Sequence, residues 1–266
     1  MNYLESIILG IVQGMTEFLP VSSSGHLVIF ENLLGIKVGN LSFEIFVHFG
    51  TLLSVLAIYY YDVFSMIKSF FAGIINPVQA FRKDEYFRLS IFVIIGTIPA
   101  ALAGVFLEDF FTNIFHNVDL VGYTLIFTAV VLWSTRYIRI KDKDLNTKNS
   151  VLIGIAQMLA IFPGISRSGM TISTGLFSGI SRQDSARFSF LLAIPAISGS
   201  MVFALADFFS GSTGGIAIGV MLTGLATAFI VGYLAIKFLL KILASGKFSY
   251  FAPYCLILAI LVLLFL

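Results

Sequence analysis

The chain has 266 residues, of which 58% are hydrophobic and 11% charged, with a formal net charge of +2 at pH 7. A soluble domain carries roughly 25% charged residues, so a mean hydropathy of +1.00 calls for a lipid-facing exterior and a bilayer as solvent. The small net charge without an isolated basic patch excludes a nucleic-acid partner, and the single cysteine, Cys255, excludes an intrachain disulfide and CxxC-type metal spacing.

No Lys or Arg precedes Lys37, so the positive n-region of a signal peptide is not expected. Residues 4–29 are apolar, but Pro20-Val21-Ser22-Ser23-Ser24-Gly25 cannot stay helical. The stretch 43–61 has the roughly 20 residues a membrane span needs. Segment 62–88 carries Lys68, Arg82, Lys83 and Arg88. Spans are predicted next at 89–107 and 118–135, joined by a connection without cations. Segment 136–150 carries Arg136, Arg139, Lys141, Lys143 and Lys148. A second broken region, 151–175, is interrupted by Pro163-Gly164-Ile165-Ser166-Arg167-Ser168-Gly169. The last spans are predicted at 188–206, 215–236 and 250–266; the connection 207–214 has no cation, and 237–248 carries Lys237, Lys241 and Lys247. Trp133, Tyr59, Tyr60 and Tyr61 fit interfacial aromatics.

Cations gather on the cytoplasmic side of spanning proteins. Segments 62–88, 136–150 and 237–248 are therefore expected inside, and 108–117, 207–214 and 30–42 outside. Residues 151–187 must leave the cytoplasm and return, because Arg182 and Arg187 precede the next span. Residues 1–29 are expected to enter and leave from the outer face. Of the 16 Lys and Arg residues, only Lys37 and Arg167 then lie away from the cytoplasm. The expected fold is an all-α, polytopic helical membrane protein. It has six full spans plus two re-entrant or broken helix hairpins, whose irregular backbone needs protein or a water-filled cavity around it.

The two broken regions resemble each other. Residues 10–26 read GIVQGMTEFLPVSSSGH and residues 154–170 read GIAQMLAIFPGISRSGM, aligned without a gap by a shift of 144. Gly10, Ile11, Gln13, Phe18, Ser22, Ser24 and Gly25 meet Gly154, Ile155, Gln157, Phe162, Ser166, Ser168 and Gly169. Each copy precedes three spans, and the charge pattern sets the copies in opposite senses. A single membrane domain of two inverted halves, about 1–145 and 146–266, is expected, with a polar site where the breaks meet.

Ionisable groups at membrane depth mark functional sites by default. Here they are Glu17, His26, His48 and Arg167, three of them in the repeated segments. Gln13 and Glu17 share a helix face. Ser22, Ser23, Ser24 and Gly25 are expected to form a tight turn with His26 just beyond it, and Ser166, Arg167 and Ser168 sit between Gly164 and Gly169. Guanidinium, hydroxyls and free amides together suit a phosphate, and a serine beside a histidine suits nucleophilic attack with proton transfer. Glu17 could orient His26 or share a divalent cation with the substrate. His48, one turn after Glu44, is either cavity-facing or a structural histidine. His116 is expected to be solvated outside, Thr171, Ser173 and Thr174 to cap or pack, and Cys255 to be a lipid-facing or core residue.

Gln13-Gly-Met-Thr-Glu17-Phe-Leu-Pro-Val-Ser-Ser23-Ser-Gly-His26 with Pro163-Gly-Ile-Ser166-Arg167-Ser168-Gly169 resembles the bacterial undecaprenyl-diphosphate phosphatase family of the bacitracin-resistance type, over the whole chain. The resemblance implies hydrolysis of undecaprenyl diphosphate to undecaprenyl phosphate, carrier recycling for the cell wall, bacitracin resistance, a bacterial plasma (inner) membrane location, a site open to the outer face, and a Mg or Ca cofactor. By position it implies Ser23, His26, Glu17 and Arg167 as catalytic. Gln13, Ser22, Ser24, Gly25, Ser166, Ser168, Gly169 and Thr171 would contact substrate, and Glu17 the metal. The family's (E/Q)xxxE pair has Gln13 first here, so a two-carboxylate metal site is not offered. Whether Ser23 or His26 attacks phosphorus, the oligomeric state and the choice of cation stay open. A type 2 phosphatidic acid phosphatase would need histidine where Ser173 stands. A lipid flippase or transporter on the same inverted-repeat fold is the alternative, because fold alone does not set function.

Overall fold

The structure, a computed structural model, describes the chain apart from residues 34–40, 108–109, 112–113, 115–116 and 210–215, and apart from the side chains at 31, 41–42, 200 and 202–209. Lys37 and His116 lie outside the described residues. Those described form twelve α-helices and no strand. They are α1 (Tyr3–Phe18), α2 (Ser23–Leu33), α3 (Leu41–Ile58), α4 (Tyr60–Gly73), α5 (Pro77–Lys83), α6 (Glu85–Phe106), α7 (Val118–Ser134), α8 (Thr147–Leu159), α9 (Arg167–Phe177), α10 (Arg182–Phe209), α11 (Ile218–Ala244) and α12 (Phe251–Phe265).

Local chemistry sets the boundaries. Asn2 caps α1 and forms a reciprocal capping box with Glu5. The helix stops because Leu19 precedes Pro20, which disfavours the helical conformation one residue earlier; Leu19 is extended, with ψ 144°. The second break runs from Ala160 to Ser166 and turns through Gly164 at φ +88°, a conformation that glycine adopts without cost. Asp84, Asn117, Asn146 and Ser166 cap α6, α7, α8 and α9 through their side chains.

The protein is a polytopic helical membrane protein. Among the described residues, four helical stretches are long and apolar enough to cross a membrane: Glu85–Phe106, Val118–Tyr137, Ile218–Ala244 and Phe248–Phe265. Phe43–Ile58 and Tyr60–Gly73 meet that test together and are bent by 81°. The expected span 43–61 therefore ends early and folds over at Tyr59. The expected span 188–206 lies in α10, whose first two turns carry Arg182, Asp184 and Arg187. Outward faces are apolar, as Ile257, Ile260, Leu261 and Leu264 on α12 illustrate.

Under the 144-residue shift, α2 coincides with α9, and α1 and α3 overlie α8 and α10. The packing crosses between the halves: α1 lies along α11, α8 along α6, α3 against α10 and α7 against α12. Glycines permit the closest approaches. A Cβ on Gly14 of α1 would stand 2.8 Å from Val231 Cβ and 2.9 Å from the Ala228 carbonyl of α11. Gly154 of α8 rests on Gly96 of α6. A core of Phe18, Val55, Leu132, Phe190, Leu191 and Leu239 fills the space behind the two breaks.

Candidate active site

The polar cluster at the two breaks centres on Glu17, buried in the last turn of α1. Ser23, the first residue of α2, donates its hydroxyl to Glu17 Oε2 at 2.6 Å. Gln13, one turn earlier on α1, donates its amide to the same oxygen at 2.9 Å. Arg167, the first residue of α9, donates Nη2 to the other oxygen, Oε1, in an ion pair. His48 Nε2, from α3, lies 3.8 Å from Oε2. Its Nδ1 is 2.7 Å from the Glu44 carbonyl, which can only accept. In the neutral ring Nδ1 therefore holds the proton and Nε2 faces the carboxylate with its lone pair.

Two atoms of this cluster are buried without a partner among the described residues: Arg167 Nη1 and Gln13 Oε1. Such atoms ordinarily find water or a ligand. An unfilled guanidinium nitrogen on the first residue of α9, together with the first-turn amides of α2 and α9 that the cap hydroxyls of Ser22 and Ser166 leave free, makes an anion receptor.

The two breaks are built alike. Ser22 Oγ accepts from Gly25 N at 3.3 Å and Ser166 Oγ from Gly169 N at 3.1 Å; in both, the capping hydroxyl lies 3.3 Å from that of Ser24 or Ser168. A Cβ on Gly25 would meet Gly164 Cα at 3.2 Å, and one on Gly169 would meet Pro20 Cβ at 3.3 Å. Each helix start thus abuts the opposite break, and glycine leaves the room. Ser22 adopts φ +70°, a left-handed conformation uncommon outside glycine and typical of sites that hold strain.

Helices α7 and α12 brace the breaks. Thr124 donates to the Pro163 carbonyl at 2.5 Å; Thr128 donates to the Gly164 carbonyl at 3.0 Å and accepts from Ser166 N at 3.2 Å. Cys255 is a core residue, its thiol donating to the Pro20 carbonyl at 3.5 Å.

Several sequence expectations change here. Ser23, Ser24 and Gly25 lie in the first turn of α2 rather than in a loop, Ser22 precedes that helix, and His26 is inside it. His26 does not hold Ser23, nor is it oriented by Glu17. Its Nδ1 is 2.8 Å from the Ser22 carbonyl and its Nε2 2.7 Å from the Tyr254 hydroxyl, with the two rings stacked at 5.7 Å. His48, left undecided between cavity and structure, is the histidine beside Glu17. Ser22 and Ser166 serve as caps, and Ser168 also donates to the Leu19 carbonyl at 3.1 Å. Thr171 bonds the Arg167 carbonyl at 2.8 Å and the Ser189 hydroxyl at 2.6 Å, tying α9 to α10 away from the carboxylate. Tyr254, Thr124 and Thr128 were not anticipated. The spacing of the two threonines, one turn apart on α7, was the available signal; Tyr254 gave none.

A metal would find few protein ligands. No group of three or more His, Cys, Asp or Glu suited to a metal occurs among the described residues. Glu17 and the unpartnered Gln13 Oε1 are oxygen donors, and Mg²⁺ commonly binds through one or two carboxylates plus substrate phosphates and waters. The residues fit a cation that arrives with a diphosphate, not a resident ion in a protein cage.

Residues 6–261 match the family model described as bacitracin resistance protein BacA. The chain is 40% identical over 264 residues to the undecaprenyl-diphosphatase of Desulforapulum autotrophicum, covering 96% of this chain and 95% of that one. It is 42% identical over 265 residues to the undecaprenyl-diphosphatase of Korarchaeum cryptofilum, covering 99% of both. To that of Methanosphaera stadtmanae it is 40% identical over 274 residues, covering 99% and 98%.

Proposed function

The chain belongs to the bacitracin resistance protein BacA family, and from that premise we propose that the Glu17–Ser23–Arg167 cluster is the catalytic centre of an undecaprenyl-diphosphatase. The protein hydrolyses undecaprenyl diphosphate to undecaprenyl phosphate and phosphate, recycling the lipid carrier of cell-wall synthesis and giving bacitracin resistance. The alternative expectation, a lipid flippase or transporter, has no support in the comparisons. The observation that carries the catalytic assignment is a single carboxylate claimed on one oxygen by a hydroxyl and on the other by a guanidinium that still has a buried, unfilled donor.

Arg167 Nη1 and the first-turn amides of α2 and α9 would take the terminal phosphoryl oxygens, where charge builds up in the transition state. Ser23 Oγ then bonds to phosphorus while the bond from phosphorus to the bridging oxygen breaks. Undecaprenyl phosphate leaves with that oxygen, and the Ser23 proton passes to Glu17 Oε2, already its hydrogen-bond acceptor. Water cleaves the phosphoserine, releasing phosphate and restoring the hydroxyl. His48, with its lone pair toward Glu17, is placed to carry the proton between the carboxylate and solvent; its side chain is 28% exposed. A Mg or Ca ion bound with the diphosphate would supply charge neutralisation, with Glu17 and Gln13 as its protein ligands.

The crossed packing and matched breaks support two inverted halves, about 1–145 and 146–266. The cation distribution supports a site open to the outer face of the plasma membrane, with the polyprenyl tail in a lipid-facing groove between the halves. The test is phosphate release from undecaprenyl diphosphate by purified protein in detergent with magnesium. Release that falls about 100-fold or more in Arg167→Ala and Ser23→Ala supports the assignment. No release from folded wild type would overturn the function, and unaffected variants would overturn the site.

A further inference from the structure

A polar cavity lies at the far end of α9, away from the Glu17–Ser23–Arg167 cluster. It encloses about 210 Å³ and is lined by Thr135 and Arg136 after α7, Leu176 near the end of α9, Arg182 at the start of α10, and Phe248 and Ser249 before α12. Arg167 opens α9 and Leu176 nearly closes it, so the cavity and the cluster are separated by about 14 Å along that helix, at ~1.5 Å per residue. The two arginines come from distant parts of the chain and converge on one hollow.

Their charge is not neutralised by the protein. No carboxylate lines the cavity, and neither arginine is in an ion pair among the described residues. The contrast is Arg187 on the next turns of α10, which Asp62 and Glu85 engage at 2.5 and 3.3 Å. Arg182 lies over the Gly246 backbone: a Cβ there would come within 3.4 Å of its Nη2, and Gly246 sits at φ +74°. Arg136 lies against the Trp133 face, 5.3 Å from the ring centroid. Exposed Tyr250 lines the cavity, and exposed Trp133 and Tyr137 flank Arg136 along the chain, rings suited to the interface of a bilayer.

The geometry points to a binding site for the phosphate group of an anionic lipid headgroup, held between Arg136 and Arg182 on the face that the cation distribution places in the cytoplasm. Guanidinium groups bind phosphate oxygens bidentately, and basic pockets between spanning helices on that side take lipid headgroups. The volume is below the 300–1,000 Å³ typical of sites that bury a whole drug-sized ligand; it suits a headgroup whose chains remain in the bilayer. The site is independent of the catalytic assignment.

Trp133 is the only tryptophan of the chain, so its fluorescence reports on Arg136 directly. Purified protein in a neutral detergent is titrated with short-chain phosphatidylglycerol, short-chain phosphatidylcholine and inorganic phosphate. A saturable emission change with phosphatidylglycerol and not phosphatidylcholine is expected, weakened about tenfold or more in Arg182→Gln, the loss of one charged hydrogen-bond partner. Unchanged phosphate release from undecaprenyl diphosphate in that variant shows that it is folded. Saturation by inorganic phosphate over the same concentrations keeps the anion site and assigns it to free phosphate rather than lipid. An equal response to phosphatidylcholine, no saturable change with either anion, or an undiminished response in Arg182→Gln overturns the site.

Discussion

Ser23 and Arg167 occupy equivalent positions of the two repeated segments, 144 residues apart, and each donates to one oxygen of Glu17. The same position of the two segments thus carries a hydroxyl in one and a guanidinium in the other, and the proposed chemistry rests on that difference.

Under the proposed mechanism Arg167 holds Glu17 through Nη2 and offers Nη1 to the substrate. Arg167→Lys keeps the charge but loses the planar fork. It should lower kcat in phosphate release by about 100-fold, as loss of one transition-state donor does, with little rescue over Arg167→Ala. Near-normal turnover in the lysine variant would show that only the charge matters.

The two histidines should separate. His48→Gln removes the group beside Glu17, and general acid–base groups contribute about 100-fold or more. Tyr254→Phe removes only the hydroxyl that His26 Nε2 engages, at a cost of about 1 kcal/mol in stability and a few-fold in turnover. Steady-state phosphate release and thermal melting of both variants check this; the opposite ranking would move the proton path to His26.

Gly14 should be intolerant for steric reasons. Its added methyl would press on Val231 Cβ at 2.8 Å and on the backbone of α11 at 2.9 Å, where nothing flexible can yield. Gly14→Ala should destabilise the protein by about 1–3 kcal/mol, the cost of overpacking, and lower its melting temperature in detergent. An unchanged melting temperature would mean that α1 and α11 can part without cost.

The orientation is open to direct labelling, because the one cysteine, Cys255, is buried. A membrane-impermeant thiol reagent added to intact cells should modify Ala217→Cys, at the start of α11, and leave Lys141→Cys unmodified until the membrane is opened. The reverse pattern would invert the assigned topology.

Much of this site was legible because some residues allow little choice. Pro20, Pro163 and Gly164 dictate where the helices break, and the repeat shows that both breaks share one design. Intramembrane Glu17 and Arg167 announce themselves by their cost in lipid. Partner choice was not legible where it depends on helices remote in sequence. His26 turns to Tyr254, 228 positions away, so its nearness to Ser23 along the chain misleads. His48 reaches Glu17 only because α3 packs beside α1. The bend at Tyr59 lies in an aromatic cluster whose composition marks an interface but not a change of direction.

The most direct test of the Ser23–Glu17 assignment is a double-mutant comparison of phosphate release from undecaprenyl diphosphate by wild type, Ser23→Ala, Glu17→Gln and the double variant. If Glu17 acts by accepting the Ser23 proton, the two residues work as a unit, and the double variant should be no slower than the slower single. Losses that multiply would show that each residue acts independently and would contradict Ser23 as a nucleophile activated by Glu17.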